Sequence, residues 1–341
     1  MPTLYLIDGY AQFFRAYHAI RTPMTSPVTK EPTNMTFGFV GMMLKLFRGE
    51  GAVGGRPAFV AVALDVSGDR GTFRSQLFAD YKANRPPPPE DLERQVNRCL
   101  DMLRAIGVPL LGAEGFEADD VLATVVKRMR AERPDVAIRI ISKDKDLKQL
   151  LSCTPPQSPV ELFDIHTDLV FGEAQLHSDT GLRPSQVVDM LTLMGDTVDN
   201  VPGVEGVGEK TAAALLKEWG TLDNLAANAG QIKGKRGEKL REALPNLALS
   251  KELVTLRADV PVAFDLAEAS SHRFALASMM AHLKECGFNR YQEELRTLIG
   301  SGGPSATPGT ARPASSPAPS PAAPSDAPML VQPAARRVAP A

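Results

Sequence analysis

Short apolar runs that end in a carboxylate are the feature that most restricts how this chain can fold. The runs at 4–7 and 58–64 are apolar throughout, and the run at 138–141 is interrupted only by Arg139, as in strands that are buried on both faces. More than a dozen residues separate successive runs, which is the length of a crossover connection in a parallel sheet. The sequence therefore predicts an α/β fold in which helices flank a parallel sheet.

Acidic residues follow these runs at the edge where the carboxyl ends of parallel strands meet, and open sheets bind ligands at that edge. Two like charges about 4 Å apart repel by roughly 4 kcal/mol at an effective dielectric constant of 20. Divalent cations remove this repulsion, and all-oxygen ligand sets suit Mg²⁺ or Mn²⁺. The sequence thus predicts a metal site built from nine acids: Asp8, Asp65, Glu117, Asp119, Asp120, Asp144, Asp146, Asp196 and Asp199.

Charge and cysteine content limit the classes of function. A net charge of −2 over 341 residues gives no overall attraction to nucleic acid or to an acidic membrane, so any basic binding surface is local. Cys99, Cys153 and Cys286 lack CxxC spacing, which favours buried thiols in a reducing compartment. The first residues lack a basic n-region, and no stretch approaches 18 apolar residues. We therefore expect a cytoplasmic protein without membrane contact.

The pattern of the chain changes twice. Strands alternate with helices up to about residue 180, the pattern is mainly helical from 181 to 299, and Pro, Ala, Ser and Gly dominate 300–341. The last composition predicts a disordered tail, because it buries too little apolar surface. Periodicity predicts helices at 11–20, 36–47, 92–106, 120–130, 184–194, 210–219, 222–228 and 274–286, a further strand at 160–163, and a loop at 153–159.

Each acidic motif also has an ordinary structural interpretation. The acids of 115–120 stabilise a helix N-terminus by about 0.3–1 kcal/mol, although three acids within four positions exceed what capping requires. Asp144 and Asp146 alternate with lysines, as in a solvated loop, but on an extended backbone they point the same way. Asp196 and Asp199 either share one face of a helical turn or open an ordinary turn. Taken together, the motifs favour metal ligation.

A glycine-rich segment at 201–212 predicts a tight hairpin followed by a helix. Gly203, Gly206 and Gly208 permit the hairpin, and amides at the start of the helix suit phosphate oxygens. The alternative is an ordinary connection between two helices. Lys210 and Thr211 come one residue too late for a GxxxxGKT phosphate loop. The basic stretch at 233–241 is either a solvated helix face or a track for a duplex backbone.

Basic and aromatic residues alternate between positions 70 and 85. Such a segment suits a single strand of nucleic acid, because it combines phosphate contacts with base stacking. The alternative is an exposed helix whose aromatic residues face the core. The residues concerned are Arg70, Phe73, Arg74, Phe78, Tyr81, Lys82 and Arg85.

An ordered set of motifs resembles the 5′-nuclease of bacterial DNA polymerase I, within the flap endonuclease superfamily. The resemblance covers about 2–298 and implies a PIN-like 5′-nuclease catalytic domain at 1–180, with a helical arch at about 69–92. It also implies a helical DNA-binding subdomain at 181–299 that carries a helix-hairpin-helix at about 190–219. The motifs are IDGY, RAYHA, ALD, TFR, YKANRPPPPEDL, GFEADD, SKDKDL, LMGDTVDN and VPGVEGVGEKTA.

The resemblance also implies roles for individual residues. All nine acids fall on the family's metal ligands, Asp65 and Asp119 are also implied as catalytic residues, and Lys82 and Arg85 fall where the arch steadies the scissile phosphate. Carbonyls of 204–207 would hold K⁺ against a duplex. Lys143, Val198 and a long loop at 154–159 depart from the family pattern. The implied DNA contacts are Arg70, Arg74, Tyr81, Lys82, Arg85, Gly203, Gly206, Gly208, Lys210 and Thr211.

The implied activity is a structure-selective 5′–3′ exonuclease and 5′-flap endonuclease that hydrolyses DNA with two Mg²⁺ or Mn²⁺ ions, in replication and repair. Its partners would be DNA with 5′ ends or flaps, RNA–DNA hybrids, and a DNA polymerase in cis or in trans. We expect a monomer. The chain is either a stand-alone nuclease or the front of a larger polymerase.

Three other functions are weaker. A relative that binds DNA junctions without cleaving them is disfavoured because all nine acids are present. A haloacid-dehalogenase-like phosphatase needs a second aspartate two residues after Asp8, and Tyr10 stands there. A dinucleotide oxidoreductase needs GxGxxG after the first strand, and that motif is missing.

Overall fold

A six-stranded sheet with the order β3-β2-β1-β4-β5-β6 organises the structure, a computed structural model that describes residues 1–300. The first five strands run parallel and β6 pairs antiparallel with β5. The predicted α/β class and mostly parallel sheet are confirmed. The strands are β1 (Thr3–Asp8), β2 (Phe59–Ala63), β3 (Leu110–Leu111), β4 (Ala137–Ile141), β5 (Val160–Asp164) and β6 (Leu169–Phe171).

Twelve α-helices lie in this part of the chain. Every predicted helix is present within a few residues of its predicted ends, although the segment at 274–286 is helical only in its second half. The sequence did not predict α6, α10 and α12. The helices are α1 (Gly9–Ala19), α2 (Asn34–Arg48), α3 (Phe73–Leu77), α4 (Leu92–Ile106), α5 (Ala118–Glu132), α6 (Glu173–Thr180), α7 (Val187–Met194), α8 (Glu209–Trp219), α9 (Leu222–Ala227), α10 (Gly234–Val254), α11 (Met279–Glu285) and α12 (Asn289–Gly300).

Alternate residues of the central strand β1 serve the cores on the two faces of the sheet. Tyr5 and Ile7 belong to a core with α1, α2, α4, α11 and α12, whereas Leu4 and Leu6 belong to a core with α5. Burial on both faces explains why residues 4–7 of this strand form an apolar run. Because the ladders of β1 with β2 and β4 are parallel, the carboxyl ends of all three strands lie along one edge.

Helices α7 to α10 enclose a third core of their own. Its first two helices, α7 and α8, are joined by the glycine-rich hairpin, so the predicted helix-hairpin-helix is present at 187–219. The predicted helical arch takes a different form. Between 69 and 92 the chain contains one short helix, α3, followed by turns at 79–84 that lie on the acidic edge of the sheet.

Two further sequence predictions need comment. Cys99 and Cys286 are buried as predicted, but Cys153 is exposed, because it opens the surface loop before β5. Gly300 is the last residue of α12, and the rest of the predicted tail, 301–341, lies outside the described residues. No helix within residues 1–300 is both long and apolar enough to cross a membrane.

Candidate active site

The site is formed where β1, β2 and β4 end and α5 begins. Asp8 is the last residue of β1 and caps α1, since its Oδ1 accepts a hydrogen bond from the Ala11 amide at 3.2 Å. Asp65 follows β2 and accepts a hydrogen bond from the Ala118 amide at 2.8 Å. This bond ties the end of β2 to the first turn of α5, where Asp119 lies.

Five acids share this edge and form what we call the open acid cluster: Asp8, Asp65, Asp119, Asp144 and Asp146. Burial, followed by repulsion from Asp65, raises the pKa of Asp8 to about 7. Burial and then repulsion from Asp144 raise the pKa values of both Asp119 and Asp146 well above their usual range. Burial also raises the pKa of Asp144. Negative charge is therefore concentrated here and only partly compensated.

One hydroxyl joins two strand ends within the open acid cluster. Ser142, the residue after β4, donates from Oγ to Asp8 Oδ2 at 3.0 Å and accepts from the Asp144 amide at 3.1 Å. Asp144 Oδ1 in turn accepts from the Asp146 amide at 2.8 Å. Ser142 was not predicted as a site residue, because the sequence marks it only by its position directly after a buried strand.

The donor set of the open acid cluster fits divalent cations. All of its side chains supply oxygen, and Oδ1 of Asp146 is buried without a hydrogen-bond partner among the described residues. The oxygens are not preassembled, however. Within residues 1–300, no three Asp, Glu, His or Cys side chains stand close enough together to hold an ion.

The other four predicted ligands form a second class, because a basic side chain neutralises each of them. Lys82 Nζ lies 2.6 Å from Glu117 Oε1. Burial alone would raise the pKa of Glu117, but Lys82 and Arg74 lower it to about 2. The paired acids and their partners are Glu117 with Lys82 and Arg74, Asp120 with Arg74, Asp196 with Lys145, and Asp199 with Arg85.

Asp120 is held by partners within the protein, and its role as a metal ligand stays a prediction. A carboxylate accepts about four hydrogen bonds, and Asp120 already accepts four, although it stands beside Asp119 in the sequence. Its oxygens receive both terminal nitrogens of Arg74, at 2.7 and 2.9 Å, and the amides of Glu117 and Arg257, at 3.1 and 2.8 Å. The side chain is 0% exposed. Asp120 thus closes the capping box of α5 and anchors Arg74.

Arg74 is likewise held by partners within the protein, and its contact with DNA stays a prediction. Its guanidinium carries five N–H donors, and the structure gives each of them an acceptor. Besides the bonds to Asp120, these acceptors are Glu117 Oε2 and the carbonyls of Leu253 and Thr255. With 2% of its surface exposed, Arg74 is a buried tie between α3, the start of α5 and the end of α10.

The remaining arch residues differ in their access to a ligand. Tyr81 is 5% exposed, its hydroxyl donates to Glu117 Oε2 at 3.2 Å, and its ring is part of a core cluster. The contact of Tyr81 with DNA stays a prediction. Lys82 and Arg85 lie at the site, but their cationic groups are held by Glu117 and Asp199. Arg70 is exposed, as a DNA contact requires.

Two more side chains at this edge were missed by the sequence analysis. Lys145 Nζ lies 2.8 Å from Asp196 Oδ2, and this pairing lowers the pKa of Asp196, which burial alone would raise. Asp69 Oδ1 lies 3.5 Å from Arg85, and its Oδ2 is buried without a hydrogen-bond partner among residues 1–300. The alternation of lysine and aspartate at 143–146 was a visible signal for Lys145. Nothing in the sequence pointed to Asp69.

The hairpin between α7 and α8 depends on one close approach. A Cβ on Gly203 would lie 2.4 Å from the carbonyl carbon and oxygen of Met194, so only glycine fits. Gly206 has φ +75°, a left-handed conformation that favours glycine. Gly208 is the N-cap of α8 and makes no side-chain cap, so amides at the start of this helix remain available for an anion.

Lys210 and Thr211 follow in the first turn of α8. Lys210 is exposed and borders an open cavity of about 480 Å³, which lies between α8, the end of α6 and the 3-10 helix Asp146–Leu150. Lys148 and Lys217 line the same cavity. Three lysines and two acids, Asp179 and Glu209, therefore line this cavity beside the start of α8.

Comparison with known families identifies the chain. Residues 3–181 match the profile of the 5′-3′ exonuclease, N-terminal resolvase-like domain, and residues 182–277 match that of the 5′-3′ exonuclease, C-terminal SAM fold. The chain belongs to the 5′-3′ exonuclease family. The family resemblance inferred from the ordered motifs is therefore confirmed.

Curated relatives of this 5′-3′ exonuclease family chain are DNA polymerases. DNA polymerase I of Rhizobium leguminosarum is 41% identical over 266 residues, which cover 77% of this chain and 25% of the relative. The thermostable DNA polymerase I of Thermus thermophilus is 36% identical over 296 residues, which cover 86% of this chain and 33% of the relative. The chain spans about a quarter to a third of the length of these relatives.

Solved structures with the same fold are more distant in sequence. T5 5′-exonuclease with bound zinc aligns with a TM-score of 0.58 at 20% identity, over 87% of this chain and 98% of the other. The catalytic core of Rad2 in complex with a DNA substrate aligns with a TM-score of 0.53 at 17% identity, over 87% of this chain and 93% of the other. At these identities the alignments establish the fold alone.

Proposed function

We propose that this protein is a metal-dependent, structure-selective 5′–3′ exonuclease and 5′-flap endonuclease that hydrolyses DNA phosphodiester bonds. One observation carries the proposal: in a 5′-3′ exonuclease family fold, the open acid cluster gathers carboxylates with raised pKa values where the parallel strands end. Acids kept in mutual repulsion destabilise a fold, so their presence at the ligand-binding edge needs a cationic ligand.

Two Mg²⁺ or Mn²⁺ ions are the cofactors that this donor set suits. Asp8, Asp65, Asp119, Asp144 and Asp146 would hold them, and Asp65 and Asp119 lie closest to the start of α5. Glu117, Asp196 and Asp199 border the cluster and would join it on release from their basic partners. When bound, such a pair of ions supplies electrostatic stabilisation and Lewis-acid chemistry for phosphoryl transfer.

Lys82 and Arg85 would act on the scissile phosphate. Both cations are at the site and are already bound to oxyanions, since Glu117 and Asp199 occupy their donors. A phosphate of the substrate offers the same kind of charged acceptor, and fixed positive charge stabilises the charge that develops on its oxygens. Arg70, which is exposed, would contact the same strand further from the reacting group.

The hairpin and the start of α8 would hold the duplex. Gly203, Gly206 and Gly208 bring bare backbone close to a ligand, and Lys210 and Thr211 add side-chain contacts to phosphate. Carbonyls of 204–207 would hold K⁺ between hairpin and duplex. Because these contacts reach the backbone and not the bases, we expect selection of DNA by structure and not by sequence.

Substrate and partners follow from the same proposal. The T5 D15 flap endonuclease, a structural neighbour, is described in complex with DNA and metal ions. We extend to this chain DNA with 5′ ends or flaps, and RNA–DNA hybrids, as substrates in replication and repair. The DNA polymerase I relatives support a polymerase partner, in cis or in trans. We propose that the nuclease unit acts as a monomer.

Cleavage of a 5′-flap substrate labelled at its 5′ end tests the proposal directly. Wild type should release labelled product with Mg²⁺ and stop when EDTA is added. Asp119→Asn removes one charge from the open acid cluster, so we expect loss of cleavage with DNA affinity within about threefold of wild type. Asp135→Asn is the matched control, because Asp135 is exposed and paired only with Arg133.

Two outcomes would contradict the proposal. Wild-type turnover that persists in EDTA would exclude a metal-dependent mechanism. Asp119→Asn that cleaves as fast as Asp135→Asn would remove Asp119 from the site. If wild type binds the flap and never cleaves it under any divalent ion, the chain is a DNA-junction binder and the nuclease assignment fails.

A further inference from the structure

The turn at 196–201 holds the segment that carries Lys82. The Lys82 amide donates to the Asp199 carbonyl at 2.9 Å, and Asn200 Nδ2 donates to the Asp80 carbonyl at 2.9 Å. Arg85 adds two side-chain bonds to Asp199 Oδ1, from Nε at 3.1 Å and from one terminal nitrogen. Four bonds therefore join two segments that are more than a hundred residues apart in the chain.

The backbone at both ends of this contact is unusual. Lys82 has φ +56° and Asn200 has φ +58°, and they are two of only four non-glycine residues with positive φ among residues 1–300. A left-handed conformation is unfavourable for most side chains, whereas asparagine tolerates it. Such conformations persist only where surrounding contacts hold them, and they concentrate at functional sites. The Asp199 carbonyl accepts from the Lys82 amide, and the Asn200 side chain holds the chain two residues before Lys82, at Asp80.

The same turn is continuous with the duplex-binding hairpin. Asp196 and Val201 form an antiparallel bridge, with N–H to O distances of 2.9 and 2.7 Å. Two residues later, Gly203 packs against the end of α7, where a Cβ would clash with Met194. Few free backbone torsions therefore separate the hairpin from Asn200, and Asn200 in turn fixes the position of Lys82.

We infer that Asn200 is a positioning residue for Lys82, and that it couples the hairpin that binds the duplex to the group that acts on the scissile phosphate. The inference rests on the proposed function, since it assigns no independent chemistry to Asn200. Its amide holds the Asp80 carbonyl, its left-handed backbone presents the Asp199 carbonyl to the Lys82 amide, and Lys82 keeps its place at the edge of the open acid cluster.

Two substitutions of Asn200 separate the contribution of its side-chain amide from that of its left-handed backbone. Asn200→Ala loses the bond to Asp80 and strains the left-handed turn, so we expect the rate at saturating flap substrate to fall on the order of tenfold. Asn200→Gly loses the side-chain amide but keeps the left-handed turn, so we expect the same rate to fall by only about threefold. KM should stay within about twofold of wild type in both. Asn224→Ala is the control, because Asn224 also donates to a main-chain carbonyl, of Trp219 at 2.7 Å, but in α9.

A double-mutant cycle with Lys82→Ala decides between positioning and mere structural support. If Asn200 acts through Lys82, then Asn200→Ala adds no further loss once Lys82 is alanine. Independent, additive losses in the cycle would overturn the inference. An equal loss in Asn200→Ala and Asn224→Ala, or a large rise in KM with an unchanged maximal rate, would also overturn it.

Failure of the proposed function gives a different result. If Lys82→Ala alone leaves the maximal rate unchanged, Lys82 has no catalytic role, and the proposed function is at fault. If Lys82→Ala lowers the rate and Asn200→Ala does not, the proposed function stands and the positioning inference fails. Urea unfolding gives the folded fraction of each variant, and the rates are compared per folded molecule. Loss of stability is then excluded as an explanation.

Discussion

Neutralising Asp8 should stabilise the metal-free protein, although it removes a residue of the active site. The side chain sits at the end of β1, where burial and then the charge of Asp65 raise its pKa to about 7 from the usual 3.8. A raised folded-state pKa means that the folded protein binds the proton more tightly than the unfolded chain does. The stability that Asp8 contributes is therefore fully present below about pH 4 and is lost as the pH rises through 7.

The two pKa values set the size of the effect. A separation of about three units, at 1.36 kcal/mol per unit, corresponds to at most roughly 4 kcal/mol of unfolding free energy at pH 8. Asp8→Asn has no charge to lose at any pH. The side-chain amide oxygen of this variant still accepts a hydrogen bond from the Ala11 backbone and caps α1. The NH₂ group of the same side chain gives Ser142 Oγ a hydrogen-bond partner. The variant should therefore gain stability over wild type only as the pH rises.

Urea unfolding in EDTA at pH 4, 6 and 8 measures this difference. The gain of Asp8→Asn over wild type should be near zero at pH 4 and largest at pH 8. Addition of Mg²⁺ at pH 8 should stabilise wild type more than the variant, because a ligand stabilises the state that binds it. Asp8→Asn that is less stable than wild type at pH 8 in EDTA would refute the electrostatic reasoning, as would a gain that is independent of pH.

Asp164→Asn provides a control of opposite sign. Asp164 lies 2.7 Å from Arg15 and 2.9 Å from Lys143, and hydrogen bonds from Thr167 and these cations hold its pKa well below the usual range despite burial. Its stabilising contribution is present above the unfolded pKa and is lost as the pH falls. Asp164→Asn should therefore lose stability at pH 8, where Asp8→Asn gains it.

Two further predictions concern the framework around the site. Arg74→Ala leaves Asp120 and Glu117 buried without their cation, so the unfolding free energy should fall by about 3–5 kcal/mol in urea titrations; a loss below 1 kcal/mol would mean that the ion pairs are not formed. Gly203→Ala should open the hairpin and weaken duplex affinity in a fluorescence anisotropy titration, because its Cβ meets Met194 at 2.4 Å, whereas a Cβ at Gly230, outside the hairpin, meets no atom within 4 Å and Gly230→Ala should bind as wild type does. Equal affinities of the two variants would contradict the hairpin geometry.

The sheet and most helices could be predicted because their signal is local. An apolar run such as that of β1 needs no partner to be recognised, and the amphipathic period of α4 gave its ends without error. Helix α10 was missed for a physical reason. It is rich in lysine and arginine, begins with glycine and contains Pro245, so its apolar stripe is weak, and its packing is divided between the third core and the core that contains α5.

The acidic motifs predicted a site but not the roles of its members. Asp119 and Asp120 are adjacent in sequence, yet consecutive residues point about 100° apart around a helix. One therefore faces the open acid cluster and the other faces Arg74. Their shared motif could not distinguish them, because the distinction depends on α3, which is more than forty residues away.

The division of the acids into an open cluster and a paired set explains how one fold tolerates both. Like charges that are only partly compensated destabilise the folded state, and they are confined to the strand ends, where a cationic ligand can enter. Around them, each paired acid forms a bond that holds a neighbouring segment: Glu117 and Asp199 hold the arch residues, and Asp120 holds α3 and the end of α10. The repulsion is thus confined to the open acid cluster, where a cationic ligand can bind. The neighbouring paired acids instead hold segments of the chain in place.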